Sequence, residues 1–436
     1  MAVLRDDTER RIFRLAIPAL GTLAVEPLYV LVDTAIVGRM GTPQLAGLAV
    51  AATVLLTVVS LTAALEYGLT PDVAHAHGRG DAAEARRVAT NGLQLAALIG
   101  VPIGALLAIS AEWLCWLIGG RGEVLEHATT YLRISAVGLP FVLIAYVGHG
   151  VMRGVNQLRK PLVVVAVANV ANLIIELIAV YVFDMGIAGS AWSTVIAQAG
   201  AAVAFGFVLR PHLTALRPTF ARMRPLLESG RHFAIRSIAM FTVWNTATFV
   251  AARIDTATLA AHQVITQLFI LLALVLDALA IPAQSLVAGA LGAGAAADAE
   301  RVGRSSARLS LWAAGVLAVA LVAISPFAAA VFTDDSAVRS RLIAGLLILA
   351  VMQFPGAIAF AYDGALIGAE DERWLGRQAV VNLLGYAPLA LATLFAPRLG
   401  LAGLWGAQMS WMVMRAWVNA QRWRHLADRS FGLLGH

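Results

Sequence analysis

HGRGDAAEARRV, residues 77–88, is answered later in the chain by LGAGAAADAERV, residues 291–302. The same register, without a gap, lays MGTPQLAGLAV (40–50) over IDTATLAAHQV (254–264). About a third of the positions from Met40 to Val88 are identical in this alignment, more than shared apolar composition explains. The chain therefore reads as a duplication, and each half must be a structural unit of its own kind.

What kind follows from composition. Of 436 residues 60% are hydrophobic and only 13% charged, which is more apolar side chain than a soluble domain of this length can bury. A helix crossing the hydrocarbon core needs roughly 20 mostly apolar residues. Segments of that length recur at 12–37, 45–72, 88–110, 125–150, 162–182, 187–209, 232–252, 258–288, 306–332, 339–366, 375–396 and 401–422. The alternating apolar and polar pattern of a membrane β-barrel is missing. The expectation is an all-α integral membrane protein of twelve transmembrane helices in two homologous six-helix lobes. The N-terminal lobe would span 1–209, a basic cytoplasmic linker 210–231, and the C-terminal lobe 232–436. Six is even, so both lobes enter the membrane the same way, as parallel repeats with a transport cavity expected between them. A duplicated scaffold without a pathway is the competing reading.

The formal net charge of +6 invites a nucleic-acid reading, but its distribution opposes one. Basic residues gather in alternate gaps between the apolar segments: Arg5 to Arg14, Arg79 to Arg87, Arg153 to Lys160, Arg210 to Arg231, Arg301 to Arg308, Arg373 to Arg377 and Arg422 to Arg429. The opposite gaps hold few. By the positive-inside rule both termini are cytoplasmic, and the basic loops meet lipid headgroups rather than nucleic acid. The first apolar segment lacks a small-residue cleavage site and reads as a spanning helix, not a signal peptide. Cys115 is the only cysteine, so no intrachain disulfide is possible.

Polar residues inside the apolar segments are the candidates for function. They are Glu26, Asp33, Glu66, Asn169, Asn172, Glu176, Arg236, Asn245, Asp277, Asp363, Asn382 and Arg415. A carboxylate at the bilayer centre costs about 2.5–3.5 kcal/mol even on the insertion scale, so such groups face a wet cavity or a partner. Burial also favours the uncharged form of a carboxyl group, which suits Asp33 to proton or ion coupling; an ordinary helix-end aspartate is the alternative. Asn169, Asn172 and Glu176 are spaced three and four apart and share one helix face. Their oxygens suit Na⁺ or a proton relay, whereas asparagines also serve as interhelical glue. Arg236 is an expected partner for Asp277 or Asp363. Pro18 and Pro27 remove backbone hydrogen bonds from the first helix and make it bendable near Asp33. Met152 and Met240 are candidates to line an apolar substrate cavity. Asp72, His75 and His77 sit at a helix end beside glycines and read as solvated loop rather than a metal site. No P-loop, zincin motif or nucleophile elbow is found, and an enzyme is not expected.

Six stretches together resemble the multidrug and toxic compound extrusion (MATE) transporters, with the DinF-like branch fitting best. They are VDTAIVGRMG (32–41), GLTPDVAHAHGRGD (68–81), GVNQLRKPL (154–162), NVANLIIE (169–176), GIAGSAWSTVIAQ (186–198) and YDGALIGAEDERW (362–374). The resemblance implies two six-helix lobes and alternating access driven by a proton or Na⁺ gradient, with no cofactor. Asp33 then falls at the family's N-lobe coupling acid, and Asn172 with Glu176 at its asparagine and acid on the fifth helix, where aspartate is usual. Asp363 falls at a C-lobe acid that some members use. Bending of the first helix at Pro18 and Pro27 is implied too. The expected activity is export of amphipathic or cationic organic compounds across the plasma (inner) membrane in exchange for protons, with Na⁺ as the other ion. A lipid-linked precursor flippase of the related two-lobe superfamily is the alternative.

Overall fold

The computed structural model describes residues 6–215, 218, 220–332 and 336–432. Among them there is no strand. The first half is built from α1 (Asp7–Gly38), α2 (Thr42–Thr62), α3 (Ala64–Gly78), α4 (Ala82–Ile118), α5 (Gly122–Gly154), α6 (Arg159–Tyr181) and α7 (Gly186–Leu209). The second half holds α8 (Phe220–Ile254), α9 (Thr256–Gly292), α10 (Ala296–Phe332), α11 (Ser336–Gly368), α12 (Glu372–Ala392) and α13 (Gly400–Gly432). α2 and α3 are one span interrupted at Ala63, so the described chain has twelve long helical segments. Ten of these are long and apolar enough to cross a membrane on length and composition. The other two, α8 and α13, carry Arg236 and Arg415 within their lengths.

The duplication is written into the backbone. α4 and α10, α5 and α11, and the α2–α3 span and α9 start and end at a constant offset of 214 residues. Left-handed turns recur at the same offset: Gly80 (φ 73°) and Gly294 (φ 72°), Gly186 (φ 56°) and Gly400 (φ 47°), and Asn156 (φ 57°) and Glu370 (φ 58°). Glycine suits the first two pairs because it lacks the Cβ that opposes positive φ; Asn tolerates the region and Glu370 carries the strain. Close helix contact repeats as well. A Cβ placed on Gly150 would stand 3.1 Å from the Glu66 carbonyl oxygen, and one on Gly154 3.0 Å from that of Thr70. Their counterparts Gly364 and Gly368 approach the Ala280 and Gln284 carbonyls more closely still.

The contacts resolve into two compact units, Gly21–Arg231 and Met1–Leu20 with His232–His436. The division of α1 falls between Pro18 and Pro27. Residues 210–231, expected as a linker, form a 3₁₀ turn at Arg210–His212 and then the opening turns of α8. Met223 and Leu226 from those turns are buried with Leu69, Leu143 and Val151 in the core of the first unit. In the other unit Glu9 of α1 is fully buried and paired with Arg308 of α10 at 2.7 Å. Each core is apolar, while large side chains such as Ile109, Phe207, Val319 and Phe327 stay 70–79% exposed, as lipid-facing positions do.

Replacing Gly364 by valine forces the Ala280 carbonyl aside and is expected to cost about 1–3 kcal/mol. Gly206→Ala, whose added Cβ meets nothing within 4 Å, is expected to be neutral or stabilising. Thermal unfolding of the two purified variants checks the contrast.

Candidate functional site

In the Gly21–Arg231 unit, α1, α6 and α7 bring polar groups to one buried point. Thr34 spends its hydroxyl on the Val30 carbonyl of its own helix, whereas Asp33 one residue earlier faces inward at 6% exposure. The Ser190 hydroxyl of α7 donates to Asp33 Oδ1 at 2.8 Å, and the Tyr29 hydroxyl reaches the same oxygen at 3.5 Å. Tyr29 also meets Thr194 Oγ1 at 3.0 Å, and Asn172 Nδ2 of α6 donates to that oxygen at 3.4 Å. Glu176, one turn beyond Asn172, is fully buried beside Asp33 and Ser190. Neither of its carboxyl oxygens has a partner at hydrogen-bond geometry, nor does Asn172 Oδ1. Tyr131 of α5 is buried next to Asp33, Glu176, Ser190 and Thr194. Three buried oxygen acceptors without hydrogen-bond donors are costly in an apolar interior.

Of the three polar residues on one face of α6, the structure brings Asn172 and Glu176 into this cluster. Asn169 is not brought in: its side-chain amide donates to the Val165 carbonyl of its own helix at 2.9 Å. Tyr29, Tyr131, Ser190 and Thr194 were not singled out from the sequence. The signal available for two of them was GSAWST, which sets Ser190 and Thr194 four apart on one face of α7.

The second unit builds a different constellation. Asp363 of α11 takes Arg236 Nη2 of α8 at 2.7 Å and Arg415 Nη2 of α13 at 2.6 Å, both on Oδ2. Asn419 Nδ2 supplies Oδ1 at 2.8 Å. Arg236 thus finds Asp363 and not Asp277; Asp277 acts on Arg415 as a further nearby negative charge. A small pocket opens here, lined by Arg236, Met240, Gln378, Asn382 and Trp411 among others. Met240 lines this pocket beside charged and amide side chains, while Met152 is fully buried in the apolar core of the other unit.

A third buried cluster joins α3 and α5. Arg153 Nη1 pairs with Glu66 Oε1 at 2.6 Å, and His149 Nδ1 stands 3.8 Å from the same oxygen. His149 and Arg153 are one turn apart, a spacing that could have flagged them. Asp72, His75 and His77 belong to α3 rather than to a loop. Among the described residues no group of three or more His, Cys, Asp or Glu could hold a metal ion.

The MatE family model matches residues 18–178 and again 233–395, one match per repeat. The chain belongs to the MatE family and is a multi-pass membrane transporter, not an enzyme. Among its relatives, Protein DETOXIFICATION 44, chloroplastic, of Arabidopsis thaliana is 29% identical over 94% of this chain and 81% of its own. DNA damage-inducible protein F of Escherichia coli K12 is 27% identical over 96% and 92%. A solved MATE structure in a bent conformation superposes with a TM-score of 0.92 at 20% identity, covering 100% of this chain and 99% of the other, a likeness of fold.

Arg153→Leu removes the guanidinium that meets the buried Glu66 at 2.6 Å and is expected to cost about 3–5 kcal/mol. Adding Glu66→Gln should recover most of that loss, and denaturant titration of both variants measures it.

Proposed function

We propose that the protein is a secondary-active antiporter that exports amphipathic, cationic organic compounds while protons enter. The observation that carries this reading is the Asp33–Glu176 pair, two carboxyl groups side by side at 6% and 0% exposure. Among the described residues no arginine or lysine pairs with either. Two such groups cannot both be charged cheaply, and one proton between them removes the repulsion. Losing that proton creates a second buried charge, which favours a rearrangement that admits water or a cationic substrate. Tyr29, Ser190 and Thr194 form the hydrogen-bonding chain that changes with it. α1 carries Asp33 and divides between the two compact units at Leu20, so bending between Pro18 and Pro27 would pass the change along the helix.

Asp363 is a poorer coupling group, since two guanidinium groups and an amide already hold it. Na⁺ is the alternative coupling ion, with Asn172 and Glu176 as its oxygen ligands. A lipid-linked pyrophosphate is a poorer cargo: Arg236 and Arg415 share one aspartate and leave too little positive charge for it. The distribution of basic loops supports cytoplasmic termini in a plasma (inner) membrane, with lipid headgroups as their partners. Moving one proton across 100 mV supplies about 2.3 kcal/mol, enough to sustain a useful gradient of substrate.

Proteoliposomes loaded with a cationic dye test the reading, with pH and Na⁺ gradients imposed separately. The pH gradient is expected to drive dye movement and Asp33→Asn to lose at least about nine-tenths of it, as removal of an essential proton acceptor does. Movement driven by Na⁺ alone, or retained by Asp33→Asn, would overturn proton coupling at this site.

A further inference from the structure

We propose that His77, Arg86, Lys160 and His212 of the Gly21–Arg231 unit form a binding site for the phosphate of one anionic glycerophospholipid, whose acyl chains lie along α6 and α7. The site is on the face that the basic loops read as cytoplasmic, and it goes beyond the antiport reading without resting on it.

Convergence supplies the first argument. His77 is in the last turn of α3, Lys160 in the first turn of α6, and His212 in the 3₁₀ turn that follows α7. Arg86 joins them through Thr90, one turn further along α4. The Thr90 hydroxyl donates to the Arg86 carbonyl at 2.8 Å and accepts the Thr214 backbone N–H at 3.0 Å, which fastens the segment after the 3₁₀ turn to α4. The charges acting on the His212 imidazole are those of Lys160, His77 and Arg86. Among the described residues none of the four pairs with a carboxylate. The acids of the neighbouring loop are occupied: Asp81 caps α4 by accepting the Glu84 N–H at 2.9 Å, and Glu84 pairs with Arg87. A phosphate at this point offers acceptors to imidazole, ammonium and guanidinium alike and relieves the repulsion among them. The surface beyond the cations decides for a lipid. Val163 and Val167 follow Lys160 on α6, Phe207 precedes Arg210 on α7, and they are 60%, 63% and 70% exposed. Apolar side chains left bare on a membrane helix face acyl chains. A headgroup seated on the cations lays its chains along this strip, which a free phosphate or an acidic protein segment would leave uncovered.

The duplication supplies the second argument. At the 214-residue offset the counterparts of His77, Arg86, Lys160 and His212 are Leu291, Glu300, Trp374 and Leu426. Glu300 pairs with Arg304 at 3.2 Å, and Arg422 lies over the Trp374 ring at 5.5 Å while it grips Asp371 at 2.6 and 3.1 Å. The same framework thus closes with none of the four cations, and where it carries arginines at this level they are neutralised. The fold does not call for the cluster in the Gly21–Arg231 unit, and a bound anion accounts for it.

Native mass spectrometry of the purified full-length protein in neutral detergent tests the proposal by counting bound lipid. The probes are dioleoyl phosphatidylglycerol and dioleoyl phosphatidylcholine, which share their chains and differ in net charge. Wild type is expected to retain the anionic lipid more tightly. Arg86→Gln with Lys160→Gln should weaken it about tenfold or more and the zwitterionic lipid by less than about threefold. Arg373→Gln with Arg424→Gln removes the same charge from the other unit and should change the anionic lipid by less than about threefold. Arg86→Lys with Lys160→Arg keeps the charge, should keep the binding, and guards against misfolding of the glutamine pair. Equal retention of the two lipids by wild type, or equal loss in the cluster pair and the control pair, would overturn the site. Complete displacement of phosphatidylglycerol by inorganic phosphate would overturn its assignment to a lipid. No gradient is imposed, so the result stands apart from the dye-movement test of antiport.

Discussion

A buried carboxyl group with no arginine or lysine paired to it among the described residues is the constraint on which the rest of this molecule turns. At Asp33 that group is reached by the hydroxyls of Ser190 and Tyr29, and Glu176 stands next to it with both oxygens lacking hydrogen-bond partners. Helices that must cross an apolar solvent can keep such groups only if packing and hydrogen bonds hold them in place. α6 and α7 do so by offering Asn172 and Thr194 at the same depth as Tyr29. On the proposed reading, a proton shared within this cluster is the link between its chemistry and an ion gradient.

The duplication makes the two lobes a natural comparison. They share the bounds of three helical spans, left-handed turns and glycine-mediated close contacts at one offset, yet their buried polar groups differ. At the positions matching Asp33 and Glu176 the second repeat has Ala247 and Ala390, and near them an aromatic cluster of Trp244, Trp405, Tyr386 and Trp411. At the positions matching Arg236 and Asp363 the first repeat has Thr22 and His149. One framework thus carries an acidic cluster in one unit and an arginine–aspartate–arginine cluster in the other.

Much of the architecture was legible in the sequence because its causes are local. Twenty-residue apolar segments and the ungapped repeat both report constraints that can be read along the chain without a fold. Asp33, Asn172 and Glu176 stood out for the same reason, since a polar side chain in an apolar run is visible without a fold. The partners were harder to read. Tyr29, Ser190 and Thr194 are ordinary residues in ordinary helices until packing brings them to Asp33. Asn169 looked equivalent to Asn172 by helical spacing, but its amide turns back to its own helix at Val165. Arg415 and Asn419 lie about fifty residues from Asp363, and no periodicity connects them. The division of α1 between two compact units is likewise a tertiary fact.

The claim that Asp33 and Glu176 exchange a proton is tested most directly by infrared difference spectroscopy of the purified protein, titrated from acid to alkaline pH. The account predicts a protonated-carboxyl C=O band that disappears as pH rises and is lost or displaced in both Asp33→Asn and Glu176→Gln. A titrating band left unchanged by both substitutions, or no titrating carboxyl band in the wild type, would contradict it.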